Sequence, residues 1–218
     1  MRNPNNTNLN LHHGGTYLNL PILEDKGPFN LEHLELLKQT LFRALGQNPR
    51  VFAMRFDLHF PLGINLSHLM NDNAVVDHFI ESLKAKIKWH RTKAKAKNPY
   101  AHDTVVRYFW TREVGQFGGR PHYHFIVFLN NDAYNSAGDF ASPKASMIRR
   151  FEESWALATG LCVEAVRGLV HIPDNPVYHI KRDDPDSIAE FFRRASYLCK
   201  VSTKEYGQGI HTVGASRI

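Results

Sequence analysis

The stretch Arg120-Pro-His-Tyr-His-Phe-Ile-Val-Phe-Leu129 decides how this chain is read. From His122 to Asn130 it is rich in aromatic and β-branched residues and reads as a strand. Side chains alternate along a strand, so His122, His124 and Ile126 share one face and Tyr123, Phe125 and Val127 the other. Two histidines about two rises apart on one face are close enough to hold a single cation. The same pair also suits a half-buried strand in which each imidazole simply finds a hydrogen bond, so a third ligand has to separate the two readings.

Upstream, Thr104 to Glu113 forms a second strand, joined to the first by Gly115-Gln-Phe-Gly-Gly-Arg-Pro121, and the two predict an antiparallel hairpin. If residues near 113 pair with those near 122, Glu113, Thr111 and Phe109 fall on the face of His122, His124 and Ile126. A slip of one residue would turn Glu113 away. Two imidazoles and one carboxylate with positions left open can hold Mg²⁺, Mn²⁺, Fe²⁺ or Zn²⁺.

Further out, Val51 to Phe60 predicts a strand with Phe52, Met54, Phe56, Leu58 and Phe60 on one face, and Arg55, Asp57 and His59 beside Val51 and Ala53 on the other. Leu31 to Leu45 carries leucines at three- and four-residue spacing behind a capping Asn30, a helix stopped by Gly46 and Pro49. Asp72 caps a helix from about Asn73 to Arg91, whose C-terminal end is crowded with lysines. Another helix runs from about Pro143 to Thr159, with Ser142 as its cap and Gly160 as its stop. Gly168 to Ile172, or Val177 to Lys181, supplies a further strand, and a last helix spans Pro185 to Lys204.

The order strand, helix, strand, strand, helix, strand, helix predicts an α+β fold: an antiparallel ferredoxin-like (split βαβ) sheet with helices packed on it. Residues 31–205 form the domain, residues 1–30 an irregular N-terminal arm rich in Asn, and residues 206–218 a flexible C-terminal tail marked by Gly207 and Gly209.

On a helical wheel of the last helix, Ile188, Phe191, Phe192, Ala195, Leu198 and Cys199 cluster within about 80° of one side, whereas Arg193, Tyr197, Lys200 and Lys204 fall between roughly 120° and 180°. One tyrosine among three cations favours phenolate and attracts phosphate, as a tyrosine nucleophile requires. A solvated basic face reads the same way.

Taken together, the His-x-His strand, the upstream Glu113 and the downstream Ser196-Tyr-Leu-Cys-Lys200 resemble the HUH endonuclease superfamily. With Met54-Arg-Phe-Asp-Leu-His-Phe-Pro61 as a first motif, residues 50 to 205 are similar to replication-initiator-like proteins of filamentous phages and prophages. The resemblance implies a single-strand DNA nuclease and ligase that initiates rolling-circle replication, with an Mg²⁺ or Mn²⁺ ion on His122, His124 and Glu113. It makes Tyr197 the nucleophile, forming a 5′-phosphotyrosine, and Lys200 a cation for the phosphate or for the protein's own carboxylates. Arg55, Asp57, His59, Arg120, Arg193 and Lys204 are placed toward the DNA. Single-stranded DNA or an origin hairpin is the implied partner, and the chain is too short to carry a helicase, which a host would supply.

Composition bounds these expectations. In 218 residues, 43% hydrophobic and 22% charged, there is enough apolar material for one core-bearing domain, which excludes global disorder. The net charge of +6 points weakly toward a polyanion. The longest apolar run, Phe125 to Leu129, is far below the ~18 residues of a spanning helix. The Asn-rich start lacks the apolar segment of a secretory signal, and Cys162 and Cys199 alone give no disulfide framework, so a cytoplasmic setting with no membrane partner is expected. Two other classes share these features. A non-enzymatic single-strand-binding sheet would use the aromatics for stacking. A non-haem iron oxygenase would use the same ligand set but wants a barrel and predicts nothing about Tyr197.

Overall fold

The computed structural model describes residues 2–3, 6–115, 119–138 and 146–217. In chain order the strands and α-helices are β1 (Arg2–Asn3), β2 (Asn6–His12), β3 (Thr16–Tyr17), β4 (Leu20–Pro21), β5 (Phe29–Asn30), α1 (Leu31–Gln47), β6 (Arg50–His59), α2 (Ser67–Met70), α3 (Ala74–Lys97), β7 (Arg107–Val114), β8 (Pro121–Asn130), α4 (Met147–Thr159), α5 (Val163–Val166), β9 (Val170–His171), β10 (Val177–Lys181), α6 (Pro185–Ala195) and β11 (Val213–Ala215). The fold is α+β, built on a six-stranded antiparallel sheet in the order β10-β6-β8-β7-β11, with β9 also paired to β6.

The alternation within β6 explains why the sheet is covered on both sides. Phe52, Met54, Phe56 and Leu58 join Val76, Phe79, Phe151 and Trp155 in a core that packs α3 and α4 on one face. Val51 and Ala53 join Leu34, Leu41, Phe109, Ile126, Phe191 and Phe192 in a second core that packs α1 and α6 on the other. Removal of this apolar surface from water is the main drive for assembly. Near one end of the sheet the second face switches from apolar to polar residues, and there the histidines lie.

The helix boundaries follow local chemistry. Asn30 accepts the His33 amide and starts α1, which runs on through Gly46 to Gln47. Asp72 accepts the Ala74 amide ahead of α3, and this helix continues past Arg91 to Lys97, its basic last turn suiting the negative end of the helix dipole. The cap of α4 is Ser146, which accepts the Arg149 amide; Ser142 and Pro143 lie outside the described residues. Gly160 ends α4 with φ +70, a left-handed conformation that glycine adopts without strain. Both segments offered as alternatives for a further strand contain strands, β9 and β10, on the same partner.

Three expectations are corrected. The described part of residues 1–30 is not an irregular arm: β2 pairs with β1 and β5, β3 pairs with β4, and Tyr17, Ile22 and Phe29 enter the second core. The segment expected to be a loose tail carries β11, which closes the sheet against β7. A Cβ at Gly214 would sit 2.5 Å from the Trp110 ring, so only glycine lets the two strands approach this closely. Lastly, α6 stops at Ala195 and residues 196–199 form a 3₁₀ turn. There the Ser196 hydroxyl donates to the Arg193 carbonyl at 2.7 Å and accepts the Leu23 amide at 3.1 Å, which tightens the chain beyond α-helical winding. The wheel drawn through Lys204 therefore loses its basis after Ala195.

Candidate active site

Cross-strand register builds the site. Glu113 lies opposite His122 and Thr111 opposite His124, as required to bring the carboxylate onto the histidine face. On the other side of β8, His59 faces His122 and Asp57 faces His124; beyond them Asp57 also faces His171 of β9. Two adjacent rows result: His59, His122 and Glu113 in one, His171, Asp57, His124 and Thr111 in the next. Directly opposed residues on one sheet face are in side-chain contact, so strand pairing alone gathers these groups.

Glu113 is the hub. Its Oε2 lies 3.5 Å from His124 Nε2, 4.0 Å from His122 Nε2 and 3.2 Å from Lys200 Nζ, and accepts the Thr203 hydroxyl; its Oε1 accepts Lys204 Nζ at 3.0 Å. Burial opposes its ionisation, but His124, Lys204 and Thr203 outweigh burial and hold the carboxyl well below the usual range. His124 lies between two carboxylates, with Nδ1 2.6 Å from Asp57 Oδ1 and Nε2 toward Glu113. Burial disfavours its charge, yet these two partners prevail and raise its pKa. His122 has no such pair of partners: burial and the neighbouring His124 push it down to about 4, so it is neutral near pH 7.

The donor set fits a divalent cation. One ligand atom each from Glu113, His122 and His124 lies within 4.8 Å of the others. Asp57 holds Nδ1 of His124, leaving Nε2 to face the other two donors, the carboxylate–imidazole arrangement that orients histidine ligands. Lys204 occupies Oε1 of Glu113, so Oε2 is the oxygen presented to the imidazoles.

Tyr197 stands beside this triad. Its half-buried ring is edge-on to the His124 ring at 6.3 Å between centroids, with Lys200 Nζ 3.8 Å and the Arg55 guanidinium 5.2 Å from its own centroid. The cations around the tyrosine therefore differ from those on the helical wheel. Lys200 is there. Lys204 is turned inward onto Glu113 with a fully buried side chain, and Arg193 is exposed and acts electrostatically on Asp25. Arg55 comes instead from β6, with its Nε 3.9 Å from Asp57. Arg120 donates to the Pro61 carbonyl, at the loop after β6.

The N-terminal segment positions this turn: Pro28 O accepts the Val201 amide at 2.9 Å, Phe29 bridges to Lys200, and Leu23 binds Ser196. Sequence reasoning missed His171, whose Nδ1 is 3.4 Å from Asp57 Oδ2, and the scaffolding by residues 20–30. The only hint of the former was a histidine in a segment already read as a strand. Tyr123 and Tyr108 belong to the opposite core, and Cys199, its thiol pushed up to about 12 by burial, is no nucleophile.

An antiparallel α+β sheet with a His-His-Glu cluster and an adjacent tyrosine describes the class of protein. More particularly, the chain matches the YagK/YfjJ C-terminal domain over residues 12–216 and belongs to that family. Among its relatives are two from Escherichia coli (strain K12). The uncharacterized protein YfjJ is 30% identical over 193 residues, covering 83% of this chain and 91% of the relative. The uncharacterized protein YagK is 29% identical over 196 residues, covering 86% and 93%. No solved structure matches the chain significantly.

Proposed function

We propose that this protein is an HUH-type endonuclease and ligase that nicks single-stranded DNA and initiates rolling-circle replication of a phage, prophage or plasmid element. The observation that carries the reading is the placement of Tyr197 against the His122–His124–Glu113 cluster, with Lys200 touching both. The antiparallel strand order β10-β6-β8-β7 supports a ferredoxin-like sheet, since it is the order 4-1-3-2 of a split βαβ unit.

Glu113, His122 and His124 would hold Mg²⁺ or Mn²⁺, which when bound polarises the scissile phosphate. The chain's own residues do the rest. The Tyr197 hydroxyl oxygen attacks phosphorus, the bond from phosphorus to the 3′-oxygen breaks, and the leaving oxygen takes up the proton that the tyrosine gives to solvent. The products are a 5′-phosphotyrosine and a free 3′-hydroxyl. One phosphodiester replaces another, so the step runs in reverse as ligation. Lys200 and Arg55 set positive charge against the ring and balance the phosphate. Arg193, exposed nearby, and Arg120 are the further contacts proposed for DNA. The element's DNA lies in the cytoplasm and a host helicase opens it.

Circular single-stranded DNA incubated with the protein and Mn²⁺ tests the reading. The expected result is a covalent adduct mapping to Tyr197, absent from Tyr197→Phe, which still binds DNA. Binding without any adduct from the wild type would leave a single-strand-binding protein in its place.

A further inference from the structure

We infer that Asp57, His59 and His171 form a second divalent-cation site beside the Glu113–His122–His124 triad. The inference rests on side-chain geometry and stands whatever reaction the triad serves.

One ligand atom from each of the three residues lies within 4.8 Å of the other two, the same closeness that unites the first set. The carboxylate is divided between the two clusters. Asp57 Oδ1 holds His124 Nδ1 at 2.6 Å, whereas Oδ2 is turned to His171 Nδ1 at 3.4 Å. Arg55 Nε, the other charge facing this carboxylate, is 3.9 Å from Oδ1 and too distant for a hydrogen bond. Oδ2 is therefore the oxygen available to an ion. His59 completes the set: its ring stacks on His122 at 5.2 Å and meets His171 nearly edge-on at 6.3 Å.

Asp57 and His171 occupy paired positions on β6 and β9, and His59 follows Asp57 by two residues on the same face of β6, so the backbone ladder fixes their spacing. Asp57 is buried and His171 exposed, leaving one side of the cluster open to water or a phosphate oxygen. Two imidazoles and one carboxylate with open positions suit a first-row ion such as Mn²⁺, Fe²⁺ or Zn²⁺ better than a hard ion that prefers oxygen alone. The two sites are linked through the Asp57–His124 hydrogen bond.

The test is an Mn²⁺ titration of the full chain, following free ion by electron paramagnetic resonance and the imidazole protons by NMR. The wild type is expected to take up two ions per chain. His171→Ala and His59→Asn should take up one, and so should His122→Asn, which loses the other. The His171 ring protons should still broaden in His122→Asn, in which the triad ion is lost. A single ion bound by the wild type, equal uptake by wild type and His171→Ala, or sharp His171 signals in His122→Asn at saturating Mn²⁺ would overturn the second site. Failure to form a Tyr197 adduct would leave the ion count untouched, so the two proposals fail separately.

Discussion

Asp57 and His124, 67 residues apart in sequence, are directly paired across β6 and β8 and share a 2.6 Å hydrogen bond from Oδ1 to Nδ1. This bond fixes which nitrogen of His124 faces Glu113, and so determines whether the triad is a triad at all. A carboxylate in this position raises the basicity of the imidazole and locks its ring. Asp57→Asn should weaken Mn²⁺ binding at the triad by about 10- to 100-fold while leaving the fold intact. Calorimetric titration of the His171→Ala background, in which only the triad remains, isolates that effect.

Metal uptake should depend on pH through His124. Its pKa is raised by Asp57 and Glu113 against the effect of burial, and a cation at Nε2 must displace the proton there. Affinity for Mn²⁺ is expected to rise as pH rises through the folded-state pKa of His124, with one proton released per ion bound at the triad. Repeating the titration in buffers of different ionisation enthalpy measures that release; no proton release across the range would contradict it.

Without metal, His122 should make the protein labile to acid. Its folded-state pKa is about 4 against 6.5 for a free histidine, so the unfolded chain takes up the proton first as pH falls. Stability is lost between pH 6.5 and 4, by on the order of 3 kcal/mol in total. Glu113, held well below 4.5, adds a loss that begins as pH falls below that value. His124 works in the opposite sense, stabilising below pH 6.5 and losing that contribution as pH rises through its raised pKa. Urea melts at several pH values should show a shallower decline from pH 6.5 to 4 in His122→Gln than in the wild type.

The buried ion pair of Lys204 and Glu113 should be costly to break from one side. Lys204→Met leaves Glu113 with one lysine and is expected to destabilise by about 1.5–3 kcal/mol, because Oε1 of the buried carboxylate loses its charged hydrogen bond. Adding Glu113→Gln should recover part of the loss. Denaturant midpoints of the single and double variants check the coupling.

Lys200 touches both the ring of Tyr197 and the oxygen of Glu113 that faces the imidazoles. If it steadies phosphate charge, Lys200→Ala should slow adduct formation by about 100-fold or more, with single-strand affinity changed far less. Single-turnover nicking against binding in Mg²⁺ separates those effects.

The site was legible in sequence to the extent that strand periodicity governs it. Glu113 opposite His122, with Asp57 and His59 on the adjoining strand, follows from alternation once the hairpin register is right. What lay beyond the sequence depends on contacts between distant segments. The 3₁₀ turn at Ser196 answers to Leu23, and Arg55 reaches Tyr197 from another element. His171 gains meaning only through its pairing with Asp57, and no local pattern marks Val213–Ala215 as a strand. Charge placement was misread for a related reason. A lysine such as Lys204 looks like surface on any helical wheel until a buried carboxylate draws it inward.

The closing of β7 by β11 has a consequence for biosynthesis. A ribosome makes β6, β7 and β8 long before residues 200–215, so the emerging sheet has an open edge at β7, and Glu113 lacks Lys200, Thr203 and Lys204. The surroundings of Glu113 are thus completed among the last events of translation. A nascent chain stalled before residue 200 would hold both histidines of the hairpin, yet neither the lysines that pair with Glu113 nor the strand that seals the sheet.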